Sequence, residues 1–153
     1  MSKKKQAKWD SDPDSSKRVK TVENPQSFFD QRPIWSFAKC DFEHDKWSMP
    51  CHKDCLSDLM KRLKDFEGMT WREIFSDTSG RKNNTKNHPI PIVDIIKPAQ
   101  RRLKEINLDD FEELYSLTIT GRQRLWGVIV NGVYCVVWLD LDHEIFPSSK
   151  RGT

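Results

Sequence analysis

The sequence predicts an α+β fold: an N-terminal strand, two or three helices, then a C-terminal three-stranded antiparallel meander, with the sheet packed on the helices. Three observations carry this reading. Leu56, Leu59, Met60, Leu63 and Phe66 recur at helical spacing between His52 and Glu67, with Lys and Asp between them. After Leu114 the period changes to that of strands, in the runs Leu117–Thr120, Arg124–Val130 and Val133–Leu139. Between the last two runs stands Asn131-Gly132, whose residues both accept the positive φ of a type I′ turn, so the chain is expected to fold back on itself there.

The elements follow in chain order. Residues 34–42 alternate well enough to form a strand. Gly68 ends the helix over 52–67, because a left-handed C-terminal cap tolerates no Cβ. Thr70-Trp-Arg-Glu73 has the pattern of a capping box, in which hydroxyl and carboxylate satisfy each other's free backbone N–H groups, and it opens a short helix through Ile74 and Phe75. Residues 76–91 read as a polar loop. Ile95, Ala99, Leu103 and Ile106 mark a third helix with Pro98 in its first turn or at a kink, and Phe111 and Leu114 suggest one more helical turn.

A two-residue turn at 131–132 sets the register of the hairpin. Val130 should face Val133, Val128 Cys135, Trp126 Val137, and Arg124 Leu139. Both faces of such a hairpin are apolar. Helices are therefore expected over one face, and the long loop, a partner chain or the N-terminal segment over the other.

The chain has 153 residues, 36% apolar and 32% charged, which suits one domain and not two. Residues 1–26 are too poor in apolar groups to fold alone and are expected to form a disordered basic tail; residues 27–147 form the domain and 148–153 a flexible tail. The longest apolar run, Val133–Leu139, is far short of the ~20 residues of a membrane span. Lys3-Lys4-Lys5 has no apolar segment behind it, so a cytoplasmic location with four reduced cysteines is expected.

Charge is unevenly placed. The net +3 belongs to residues 1–26, leaving the body neutral, yet residues 79–104 carry seven Lys/Arg against one acid. A neutral body with one basic stretch suits a local contact with a polyanion better than a general coating of nucleic acid.

The order of elements and the stretch Thr120-Gly-Arg-Gln-Arg-Leu-Trp-Gly-Val-Ile-Val-Asn-Gly-Val-Tyr-Cys-Val-Val-Trp-Leu-Asp-Leu-Asp-His-Glu-Ile-Phe146 resemble the RelE/ParE superfamily of bacterial toxins. The chain is also similar to small bacterial and phage proteins of no assigned role. The resemblance implies a toxin-like endoribonuclease acting on RNA, on ribosome-associated mRNA in particular, without a cofactor. It implies RNA or the ribosome as partner, and a small antitoxin protein as a second one. In that chemistry the RNA 2′-hydroxyl attacks its own neighbouring phosphate. Arg122 and Arg124 match the family's strand arginines and would clamp the phosphate, and His143 matches a C-terminal histidine suited to acid/base work. Lys97, Arg101 and Arg102 would guide the phosphate backbone, and Trp126, on the same face as Arg124, would stack a base. The alternative within the same resemblance is a non-catalytic binding module that inhibits or pairs with a protein.

Two further constellations offer metal ligands. Cys40, His44, Cys51 and Cys55 supply thiolate and imidazole groups within a short span, but their spacing is helical rather than that of a zinc knuckle. Asp140, Asp142 and Glu144 supply oxygens of the kind Mg2+ prefers, although acids at a strand end more commonly serve turns. The expectation is free thiols and no resident metal.

Overall fold

A computed structural model describes residues 28–49, 53–77 and 86–147. The elements are β1 (Ile34–Ser36), α1 (Lys53–Glu67), α2 (Trp71–Ser76), β2 (His88–Pro91), a 3-10 turn at Ile92–Asp94, α3 (Lys97–Glu105), β3 (Glu113–Thr118), β4 (Arg124–Val130) and β5 (Val133–Asp140). The tails expected at 1–26 and 148–153 lie outside the described residues, as does Cys51. Among the described residues no helix is long and apolar enough to cross a membrane.

The expected meander of β3, β4 and β5 is the centre of a wider sheet. Its order is β1-β5-β4-β3-β2, with β1 parallel to β5 and every other pair antiparallel. The hairpin closes through Asn131 and Gly132, with φ of 51° and 81°. Trp71 Nε1 donates to the Gly132 carbonyl at 3.3 Å, so the turn is also tied to α2.

Helices cover both faces of the sheet, not one. Leu59, Leu63 and Phe66 of α1 and Trp71 and Ile74 of α2 pack on Leu117, Leu125, Tyr134, Val136 and Leu139. Ala99 and Leu103 of α3 pack on Ile90, Leu114, Trp126, Val128, Val137 and Trp138 on the other side. A sheet buried twice needs apolar residues at every position, which is why β5 shows no alternation. Gly127 is required on the first face. A Cβ there would fall 2.6 Å from Cε1 of Tyr134, whose hydroxyl donates to the Tyr115 carbonyl at 2.8 Å.

Several expectations need correction. The strand at 34–42 ends at Ser36; beyond it the chain stays near β5 through Asp41 N–H to Val137 O (3.0 Å) and Leu139 N–H to Trp47 O (3.0 Å). Residues 88–91, read as the end of a polar loop, form an edge strand in spite of Pro89 and Pro91, since a sheet edge tolerates missing N–H donors. Leu114 belongs to β3 rather than to a helical turn; α3 has already closed, with Leu108 N–H bonded to Leu103 O and Asn107 at φ 59°. Pro98 sits in the first turn of α3, and Thr70 Oγ1 accepts from Glu73 N as the capping pattern requires.

The register holds from the turn to Gly127 and then slips. Gly127 faces Val136 but Trp126 faces Trp138, so Val137 is the extra residue of a β-bulge. Arg124 therefore lies opposite Asp140, not Leu139, and Leu125 lies opposite Leu139.

Candidate functional site

The site grows from the turn before β4. Gly121, at φ 51°, lets Gln123 N–H reach Thr120 O (2.8 Å) while Ile119 N–H reaches Gln123 O (3.0 Å). The turn's carbonyls then hold the first strand residue: Arg124 Nη1 donates to Gly121 O at 2.6 Å and to Gln123 O at 3.1 Å. The guanidinium is half-buried and fixed in place, and Arg122 is exposed beside it.

Asp140, opposite Arg124, is fully buried. Its Oδ1 accepts the backbone N–H of Glu144 at 3.0 Å and its Oδ2 that of Ile145 at 2.9 Å. Both carboxylate oxygens are thus used to fold residues 141–145 into a tight loop. The loop is pinned at its far end, where Ile145 is buried and its carbonyl accepts from Ile96 N at the start of α3 (3.0 Å). Held at both ends, the loop puts His143 at φ 56°, a left-handed conformation that histidine adopts more readily than most residues but still at some cost.

His143 is partly buried, and its imidazole pKa lies below the ordinary histidine value. Burial is the largest cause, the charge of Arg124 adds to it, and His88 and Arg122 act in the same direction, while Asp140 opposes them. The side chain is therefore poised as a neutral proton acceptor near neutral pH. The same couplings place Arg122, Arg124 and His88 each within electrostatic reach of His143.

His88 is the member of this group that sequence reasoning missed. The sheet explains its presence. His88 faces Ser116, Ser116 faces Trp126 and Trp126 faces Trp138, a row across four strands whose side chains share the α3 face. Thr118, Arg124 and Asp140 form the row after the next on the same side. The signal available in the sequence was His88-Pro-Ile-Pro91, a proline-bearing edge strand.

Two expected contact residues have other work. Trp126 is fully buried, so it offers no face for a base to stack on. Its indole Nε1 is buried without a hydrogen-bond partner among the described residues. Arg102 is bound to buried Asp41 through Nε (2.8 Å) and Nη2 (2.9 Å), and its Nη1 reaches Glu105 at 2.8 Å. The basic reading of 79–104 misassigns it because its partner lies far away in sequence. Lys97 and Arg101 are exposed on α3, Arg101 beside a shallow open groove shared with Glu43, Asp45 and Glu105.

Three of the other candidate ligands, Cys40, His44 and Glu144, are also engaged. Cys40 Sγ donates to Val137 O at 3.7 Å, and burial pushes its pKa up to about 11, so it is a thiol rather than a thiolate. His44 stacks on Trp47 at 4.2 Å and its Nδ1 accepts the backbone N–H groups of Lys46 and Trp47. Glu144 Oε2 accepts from Trp47 Nε1 at 3.4 Å. No known protein family, curated protein or solved structure matches this chain.

Proposed function

We propose that this chain is a toxin-like endoribonuclease, cleaving RNA by attack of a 2′-hydroxyl on the adjacent phosphate. The gathering of Arg122, Arg124 and His143 at one end of the sheet carries the reading, since these residues come from a turn, a strand and a loop. The reaction needs a proton acceptor for the hydroxyl and cations for the pentacoordinate phosphate anion. His143, kept neutral by burial and by cations, suits the first task. Arg124, clamped by the turn carbonyls through a single nitrogen, keeps its other donors for the second, with Arg122 beside it. An arriving phosphate would offset the cations around His143 and so favour its taking up a proton during the reaction. Lys97 and Arg101 remain as exposed cations for the RNA backbone, on the ribosome or free in the cytoplasm.

A second reading, a non-catalytic module that binds a protein such as a small antitoxin, is favoured by one observation. Leu56 and Met60, one turn apart on α1, are 41% and 56% exposed, although their spacing suggested a core face. The two readings separate on induced expression in a bacterial host. The nuclease should arrest growth with RNA cleavage, and Arg124→Ala and His143→Ala should each relieve the arrest while the protein stays folded. Harmless expression would remove the toxin reading, and an arrest that survives both substitutions would favour the binding module.

A further inference from the structure

We propose that His88 is a second catalytic residue, paired with His143 across the α3 face of the sheet as acid to its base. This rests on the ribonuclease reading and extends it. Ile90, two residues on from His88, packs in the core beneath α3, which fixes the face that His88 takes. The loop carrying His143 crosses that same face, since Ile145 is buried in the same core and bonded to the start of α3. His88 is also firmly placed. Its neighbour Asn87 is fully buried, donating through Nδ2 to Ile74 O (3.0 Å) and accepting Thr118 N–H through Oδ1 (2.8 Å), while Thr118 Oγ1 donates to Lys86 O (2.7 Å).

The chemistry requires a second group. As the 2′-oxygen–phosphorus bond forms, the hydroxyl proton passes to one side chain. As the phosphorus–5′-oxygen bond breaks, another side chain must give a proton to the leaving oxygen. The products are a 2′,3′-cyclic phosphate and a 5′-hydroxyl, and the two side chains have exchanged protonation states with no net change. Arginine does not give up a proton, so Arg122 and Arg124 cannot be the acid. Asp140 has both oxygens committed to backbone donors. The charged groups acting on His143 are Arg124 and Arg122 from β4 and its turn, Asp140 from β5 and His88 from β2. With Asp140 committed, His88 alone of these has a side chain that can both carry and release a proton.

The test uses the full chain and two substrates: a single-stranded oligoribonucleotide, and a ribonucleoside 3′-(4-nitrophenyl phosphate) whose leaving group needs no proton. Wild type should cleave both, with a bell-shaped pH dependence of kcat/KM on the oligonucleotide. His88→Ala should lose about a hundredfold or more on the oligonucleotide together with the basic limb, and less than about tenfold on the nitrophenyl ester. His143→Ala should lose both substrates alike. His88→Gln serves where the alanine variant does not fold, with near-ultraviolet circular dichroism as the control. Wild-type cleavage with His88 variants that keep their rate, or lose both substrates equally, overturns the pairing and leaves the ribonuclease reading standing. A wild-type chain that cleaves neither substrate overturns both.

Discussion

Replacing Asp41 by asparagine changes one charge and almost no volume, yet it touches five donors. Oδ2 of Asp41 accepts from Arg102 Nε (2.8 Å) and Trp138 Nε1 (2.9 Å), and Oδ1 from Arg102 Nη2 (2.9 Å), Glu43 N (3.1 Å) and His44 N (3.2 Å). An asparagine must aim its NH2 at one of these two sets of donors, leaving them facing another donor. It also leaves Arg102, whose side chain is 19% exposed, without its buried counter-charge. Breaking a buried pair from one side costs about 3–5 kcal/mol, and Arg102 keeps Glu105, so Asp41→Asn should cost about 2–4 kcal/mol. Urea unfolding at neutral pH measures this. Acidification gives a second check. Burial raises the Asp41 pKa, but hydrogen bonds from Arg102, Trp138 and Glu43 outweigh it and hold the carboxyl well below its usual range. A folded pKa below the unfolded value of about 3.9 means that this stabilisation is complete above that pH and is lost as pH falls through the lower folded value. The gap between wild type and variant should therefore begin to narrow as pH falls below about 4 and close only toward the much lower folded pKa. Equal stabilities at neutral pH, or a gap that does not narrow in acid, would refute the network as drawn.

Two glycines give further expectations. Gly127→Ala should destabilise by about 1–3 kcal/mol in urea unfolding, because its Cβ would stand 2.6 Å and 2.8 Å from ring atoms of the buried, hydrogen-bonded Tyr134. Gly132→Val should lower the unfolding midpoint by about 1–2 kcal/mol in equivalent stability, since φ is 81° and the new Cβ would meet Gln31 Oε1 at 2.8 Å; an unchanged midpoint would mean that the turn is not formed as described.

What the sequence made legible was local. Asn131-Gly132 located β4 and β5 almost to the residue, because the turn's backbone requirement is met by few dipeptides. The helix at 53–67 followed from periodicity, and Thr70 from the chemistry of free N–H groups. Arg122, Arg124 and His143 were singled out through the family resemblance, which falls on one continuous stretch of sequence. The illegible parts depend on distant partners. Arg102 looked like a free cation because Asp41 lies in another part of the chain, and Trp126 looked like an exposed platform because α3 had not been placed over it. His88 was lost because the polar residues before it extend the loop reading to 91, and a short edge strand with two prolines leaves little signal against that.

The bulge at Val137 was invisible for a different reason, and it leads to the last expectation. β5 is apolar on both faces, so no polar residue reports the phase of the strand, and one extra residue leaves no trace in the pattern. The structure gives that residue two jobs. Its side chain is buried beside Trp138 against α3, and its carbonyl accepts from Asp41 N–H at 3.0 Å, tethering the segment that carries the Asp41 network. It does not set the pairing of the residues after it. With Val137 removed, Val136 can still face Gly127, and Trp138, Leu139 and Asp140 can still face Trp126, Leu125 and Arg124. Deleting Val137 should therefore preserve the fold at the cost of one buried valine, about 2 kcal/mol, and one backbone hydrogen bond, about 1 kcal/mol. Deleting Leu139 instead should turn Asp140 away from Arg124 and toward the apolar face under α1, where an unpaired carboxylate is not tolerated. Circular dichroism and urea unfolding of the two deletions decide the matter: a folded, weakened protein in the first case and an unfolded one in the second. Two deletions equally destructive, or equally harmless, would mean that Val137 is not the supernumerary residue and that Arg124 and Asp140 do not face each other as described.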